Sequence, residues 1–434
     1  MTDFQKKVAS AIAAGAILFN TALPVLAQST SLVVTGNGAD SDNDVNLSQQ
    51  TTTTVVQNNV ANISNNVDAD ADTGGNDANY NTGGSVSVKT GDASTGVGIS
   101  NTANSNVAEI EGCCATDVDV ELSGNGYNSD NTANLKLENS TDVFQTNYAK
   151  IKNEVDADSD TGDNDANYNT GGSVSIETGD ADTTVLIENK ANSNSARIGS
   201  GGGNGSISLR ILGNGADSDN DINLAFKRSL VLTQDNLADI RNKVDADADT
   251  GNNDANYNTG GAVGIDTGDA SVGVGIDNMA NFNSADLNCG CLLNVLAKIA
   301  GNGYNSDNDI NAALLDAKVA FQNNAYICGH GYPYPGNTVS ELSYGGYHKK
   351  ACNDVDADAD TGDNDVKKNT GDPGVDPSIE TGDAATLVEI QNTANANVLT
   401  EGGGLDLPEL PDFEWDFDFG FNWSLWGWLV GLGS

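Results

Sequence analysis

Four copies of one motif, each close to 88 residues from the next, restrict this chain to architectures that repeat. The tripeptide Gly-Asn-Gly opens at Gly36, Gly124, Gly213 and Gly301, which are 88, 89 and 88 residues apart. An acidic block follows each opening: GADSDNDVN, GYNSDNTAN, GADSDNDIN and GYNSDNDIN. VDADADTG or VDADSDTG follows the first three openings at one constant distance, beginning at Val67, Val155 and Val244. In the fourth copy it begins at Val355, well beyond that distance, so that copy carries an insertion. The first and third copies match more closely than neighbours do, as in a duplicated pair with a 177-residue super-repeat. Such periodicity is the mark of solenoids, propellers and arrays.

After the acidic strand each copy continues with Thr-Gly pairs, at Thr161, Thr170 and Thr178 in the second copy, a sub-period of eight or nine residues. That predicts one short strand plus one glycine turn per unit. Val67, Ala69 and Ala71 alternate with Asp68, Asp70 and Asp72, and Val86 and Val88 with Ser85 and Ser87. Period two with small or β-branched residues on one face means half-buried strands. Tryptophan is absent before the tail, so the core is thin. These features predict an all-β repeat solenoid of parallel β-helix or β-roll type, built from four repeats of about 88 residues in which each coil buries its face on the next. The alternative is a tandem array of β-sandwich domains. The expected divisions are 28–123, 124–212, 213–300 and 301–400, with an insert near 323–352 and an aromatic tail at 401–434.

Residues 1–27 have the order of a secretory signal peptide: Lys6 and Lys7, an apolar run, then Val25-Leu26-Ala27 before Gln28. The mature chain is expected to start at Gln28, to be secreted and to sit at a cell surface, with no membrane span once the signal is cleaved. The chain carries 62 acidic against 19 basic residues, a net charge of -43, which argues against a nucleic-acid partner. A folded chain of this charge needs relief from repulsion, and calcium or high salt would supply it.

Aspartate at alternate positions is the strongest chemical signal. The candidate metal ligands in the first copy are Asp40, Asp42, Asp44, Asp68, Asp70, Asp72 and Asp77. The second copy offers Asp156, Asp158, Asp160 and Asp165, and the third Asp217, Asp219, Asp221, Asp245, Asp247, Asp249 and Asp254. Asp307, Asp309, Asp356, Asp358, Asp360 and Asp365 complete the set in the fourth. Neighbouring strands lie about 4.8 Å apart, so an ion with oxygen ligands at about 2.4 Å fits between carboxylates on adjacent strands. Unneutralised, two such charges repel by roughly 1 to 3.5 kcal/mol. A solvated acidic face without a specific ion is the plainer reading. An EF-hand does not fit, because Thr73 stands where the loop needs glycine and no glutamate closes it.

This glycine-punctuated, aspartate-rich rhythm, from about Gly36 to Asn397, is similar to the calcium-binding β-roll of secreted RTX proteins and, more loosely, to β-solenoid surface proteins of bacteria. The RTX repeat reads GGxGxDxUx, whereas this one reads TGxNDAxxN and TGGxVxIx, so the resemblance implies an architecture and not a ligand set.

The insert in the fourth copy holds both histidines, His330 and His348, and five of the eleven tyrosines. Cys328, His330, His348 and Cys352 have a zinc-site composition, but in an exported chain a Cys328–Cys352 disulfide closing the loop is the preferred reading. Tyr332, Tyr334, Tyr344 and Tyr347 would then form an exposed contact patch for a ligand. Cys113, Cys114, Cys289 and Cys291 leave their pairing open. In the tail, Phe413, Trp415, Phe417, Phe419, Phe421 and Trp423 alternate with polar residues, an aromatic face that would cap the solenoid or join a neighbouring molecule.

Paired carboxylates are too abundant here to mark an acid and a base, and the four arginines do not cluster. The expected function is therefore a non-enzymatic, calcium-stabilised, structural or adhesin-like surface protein. Its partners would be a cell-surface polymer or other copies of itself. A secreted β-helix acting on polysaccharide is the rival reading.

Overall fold

The computed structural model describes residues 28–110, 116–199, 205–287, 294–327, 338–339, 352–371 and 374–401. Among them every regular element is a strand, and the chain winds four times, each winding forming one rung. Rung 1 contains β1 (Gln28–Thr35), β2 (Asp42–Asp72), β3 (Val86–Lys89) and β4 (Ala93–Ile110). Rung 2 repeats the order as β5 (Thr116–Ser123), β6 (Asp130–Asp160), β7 (Val174–Glu177) and β8 (Ala181–Ile198). Rung 3 has β9 (Ser206–Leu212), β10 (Asp219–Asp249), β11 (Val263–Asp266) and β12 (Ala270–Leu287). Rung 4 has β13 (Asn294–Ala300), β14 (Asp307–Ile327), β15 (Thr338–Val339), β16 (Asn353–Asp360), β17 (Ser378–Glu380) and β18 (Ala384–Thr400).

All pairing between strands is parallel, in four stacked sheets, and apart from the two-residue β14–β15 pairing inside rung 4 it runs from one rung to the next. The fold is a repeat parallel β-solenoid, and tandem sandwiches are excluded because the long strands pair with their counterparts in neighbouring repeats. The eight-to-nine-residue Thr-Gly rhythm left the coil length open, and the strand register sets it. One coil is the whole repeat: Asp42 pairs with Asp130 and Asp72 with Asp160, without a slip anywhere along β2. The Thr-Gly pairs of that rhythm, at Thr73, Thr82 and Thr90 in rung 1, lie in the corner between β2 and β4, where Thr73 Oγ1 donates to the Gly91 carbonyl at 2.9 Å.

Parity explains the length of β2. Its inward residues Val45, Leu47, Val55, Ile63, Val67 and Ala69 all carry odd numbers, while Val56 and Val60 are exposed. A period of two held over the whole strand lets one face stay buried throughout. The first part of β2 packs on β1 around Val34 and Leu32, and the rest on β4, which returns in the opposite direction. Gln57 meets Val107, Asn59 meets Asn106, and Asn65 meets Asn101, one index falling as the other rises. In β4 the inward set changes from odd (Val97, Ile99) to even (Ala108, Ile110) across Asn104, a left-handed residue (φ 60°) left out of the ladder. It shifts the inward phase of the strand by one residue, and Asn192, Asn281 and Asn395 repeat it in register.

Between the apolar clusters the core is filled by stacked amides. Asn65 Nδ2 donates to Asn153 Oδ1, Asn153 to Asn242, and Asn242 to Asn353, each at 2.7 Å. Asn101, Asn189, Asn278 and Asn392 form a parallel ladder, also 2.7 Å per step, cross-linked to the first by Asn153 Nδ2 on Asn189 Oδ1 at 3.1 Å. Asn153 and Asn189 are fully buried. An unpaired buried amide would cost about 1–3 kcal/mol, so the ladders fix the register in a way that apolar residues alone would not. Gln57, Gln145, Gln234 and Gln322 form a further ladder, its donors aimed the other way.

On the surface, Tyr80, Tyr168 and Tyr257 stack face to face at 4.9 and 4.8 Å. Lys368 takes the fourth place, its Nζ 4.7 Å from the centre of the Tyr257 ring. In rung 4 the ladder partner of Thr259 is Thr370, but that of Gly264 is Ser378, so the chain lengthens again in that corner, beyond the insertion that precedes β16.

Candidate cation-binding columns

In-register stacking places each aspartate of the acidic strand on its own counterpart. Asp68, Asp156, Asp245 and Asp356 form one column, and Asp70, Asp158, Asp247 and Asp358 a second. Asp72, Asp160, Asp249 and Asp360 form a third. At the next corner Asp77, Asp165, Asp254 and Asp365 are joined by parallel bridges. At the start of the long strands Asp42, Asp130, Asp219 and Asp307 make a fifth column. Asp130 is not among the ligands expected from sequence, although its Asn-Ser-Asp-Asn context stands in the same phase as its partners. Asp44, Asp221 and Asp309 share a column broken by Thr132. Asp40 and Asp217 face amides instead: Asn128 Nδ2 donates to Asp40 and Asn305 Nδ2 to Asp217, both at 2.8 Å.

The third column has a structural task. The carboxylates of Asp72, Asp160, Asp249 and Asp360 accept the N–H of Gly74, Gly162, Gly251 and Gly362 at 2.5–2.7 Å, closing the turn that ends each acidic strand. This is the local Asx turn that aspartate favours before glycine.

Like charges in columns leave their mark on the inner rungs. Partial burial, then Asp156, Asp247, Asp70 and Asp245, push the Asp158 carboxyl up to about 6. Partial burial pushes Asp249 up to about 6 as well, against the lowering effect of the Gly251 N–H, with Asp160 and Asp360 adding to the rise. Asp165, Asp221, Asp247 and Asp254 are raised too, burial first in each case. Asp158 Oδ1 is shielded from solvent and has no hydrogen-bond partner.

An oxygen-only donor set of this kind suits a hard cation such as calcium. Two vertically adjacent carboxylates would hold such an ion, which would supply neutralisation of their like charge. Among the described residues no group of three or more Asp, Glu, His or Cys is arranged to hold a metal ion. Asp70, Asp158, Asp247 and Asp358 would supply the bridging oxygens, with Asp68, Asp156, Asp245 and Asp356 one position away along the strands.

Cys352 is disulfide-bonded and packs against the apolar cluster that includes Ile240 and Tyr326, and a disulfide sulfur is no zinc ligand. Cys328, Tyr332, Tyr334, Tyr344 and Tyr347 lie outside the described residues, as do Met1 to Ala27 and residues 402–434. The tyrosine and amide ladders were not foreseen. Their signal was present in the Asn-Tyr pairs at Asn79, Asn167 and Asn256 and in Asn59, Asn147, Asn236 and Asn324, all at the repeat spacing. No protein-family model, no curated protein and no solved structure matches this chain.

Proposed function

We propose that this chain is a secreted structural protein of a cell surface, an acidic scaffold whose rungs are held against their own charge by calcium between the aspartate columns. One observation carries the reading. The four repeats form a single in-register stack, and the same carboxylates recur in columns on its outer face. A site copied into every rung serves the stack as a whole, which suits a material better than a catalyst. The open groove lined by Asn46, Lys136, Asn223 and Asn311 carries no carboxylate or histidine with which to build an acid–base pair. A Cys328–Cys352 disulfide would staple the insert to the last acidic strand, leaving its tyrosines to meet a cell-surface polymer.

Circular dichroism and thermal melting of the chain from Gln28 to Ser434, in EDTA, in millimolar calcium and in matched sodium chloride, test this. Calcium is expected to raise the melting temperature well beyond the chloride control. Asp70→Asn with Asp247→Asn should remove most of that difference, since the pair empties alternate places in one column. Equal rescue by sodium would reduce the columns to a screened acidic surface.

A further inference from the structure

A stack of repeated rungs has two ends, and among the described residues most of the strands of rung 1 and rung 4 have no partner on their outer side, β15 on β14 excepted. The amide ladders give the stack a direction. In the Asn65 and Asn101 series each Nδ2 donates toward the higher-numbered rung, so rung 1 presents oxygen acceptors and rung 4 presents N–H donors. The left-handed asparagines show the unmet end directly. Asn104, Asn192 and Asn281 each donate to a backbone carbonyl and to the asparagine of the following rung. Asn395 Nδ2 in rung 4 has no partner and is shielded from solvent, at the end of the stack where β15 lies against β18.

The repeats alternate in type, rungs 1 and 3 carrying Gly-Ala-Asp where rungs 2 and 4 carry Gly-Tyr-Asn. The boundary between rungs 2 and 3 is thus an internal template for rung 4 meeting rung 1. There the Tyr127 hydroxyl bonds the Asp217 carboxylate. The corresponding residues at the ends, Tyr304 and Asp40, are exposed, Tyr304 to 88%.

We propose that the rung 1 edge of one copy docks in register on the rung 4 edge of another, so that the chain assembles head to tail into a polar filament. The occupant of each edge is a second copy of this chain. This deepens the scaffold reading and rests on it. The joint continues every ladder: Asn104 of the added copy accepts from Asn395, Asp40 accepts from Tyr304, and Tyr80 covers the free face of Lys368. Two rung 1 edges could not pair in this way, because amide oxygen would face amide oxygen. Part of the rung 4 edge is already occupied or blunted. β15 pairs with Ala325 and Tyr326, and Pro377 lacks an N–H, so docking exchanges a two-residue pairing for a continuous strand.

Two glycines allow a test that leaves the single copy intact. A Cβ added at Gly38 or Gly91 meets nothing within 4 Å, yet at their counterparts Gly126 and Gly179 it would lie 2.5 Å from the backbone of the preceding rung. Gly38→Ala with Gly91→Ala should therefore fold as wild type does and collide only with a docked neighbour. Sedimentation and electron microscopy, in millimolar calcium, on the chain from Gln28 to Ser434 are expected to show filaments for wild type and monomers for the double variant. Added as a minor component, the variant should shorten wild-type filaments by capping one end. Circular dichroism on the same samples scores folding. A folded wild-type chain that stays monomeric at every concentration, or a double variant that polymerises equally well, overturns the docking and leaves the scaffold reading in place. Discrete dimers overturn the head-to-tail geometry. Cleavage of a polysaccharide by the same folded sample would remove the scaffold reading on which the docking rests.

Discussion

Gly162→Ala is expected to destabilise the whole stack by about 3 kcal/mol or more, among the largest single-site losses for a fold of this kind. Its Cβ would lie 2.1 Å from the Gly251 carbonyl oxygen and 3.0 Å from the Gly251 carbonyl carbon. That oxygen cannot withdraw, because it accepts the Asp163 N–H at 3.1 Å in the same turn. Gly74 and Gly251 are held in the same way, each 2.1 Å from the glycine oxygen of the next rung. Gly362 provides the control. It has no rung beyond it, and its added Cβ meets only the end of the Asp360 side chain at 3.0 Å. Gly362→Ala should cost less than about 1 kcal/mol. Melting of the two variants beside wild type checks the pair. Equal melting temperatures would contradict the stacking of these turns.

The second large effect is an inverted pH profile. The folded values of Asp158 and Asp249 lie at about 6, against 3.8 for the free side chain. For a raised carboxyl the folded state takes up its proton first, so stability is lowest above about 6, rises as pH falls through 6, and is complete below about 3.8. A full shift of that size corresponds to about 3 kcal/mol per group, but both carboxylates keep contact with solvent, and screening reduces this to roughly 1 kcal/mol each. Asp160, Asp165, Asp221, Asp247 and Asp254 shift in the same direction. Asp316 opposes them: the Arg228 guanidinium lowers its value, so its contribution is lost at acid pH. The net expectation is a melting temperature higher at pH 4.5 than at pH 7.5 in the absence of calcium, with Asp158→Asn and Asp247→Asn flattening the difference. A steady fall in stability from pH 7.5 to 4.5 in EDTA would refute it.

The repeat spacing made the solenoid legible because a parallel stack in register requires nothing more than a period. The alternation of Val67 and Ala69 with Asp68 and Asp70 likewise gave the correct faces of the acidic strand. Coil length was not legible. Glycine and threonine punctuate both a short coil and a folded corner, and nothing local separates the two. What decides is the odd-numbered inward set from Val45 to Ala69, which holds across polar residues such as Gln57, Asn59 and Asn65. On hydropathy alone those three resemble loop residues, and only a partner one rung away makes them core. Whether the acidic strands stack on one another followed the coil length and was not legible either, and the turn-closing role of Asp72 and its counterparts depends on the glycine two residues later and emerged only from the turn geometry.

The winding length also governs how such a chain can fold. A residue in one rung finds its nearest ladder partner about 88 residues away, a separation of roughly a fifth of the 434-residue chain, in the range where non-local topology makes folding slow. The first two rungs carry most of that delay, since closing so long a loop comes before any ladder bond can form. Each later rung lays itself along an edge that already exists. The kinetics should therefore show a lag followed by templated growth, and a finished edge, whether from the same chain or from another copy, would abolish the lag.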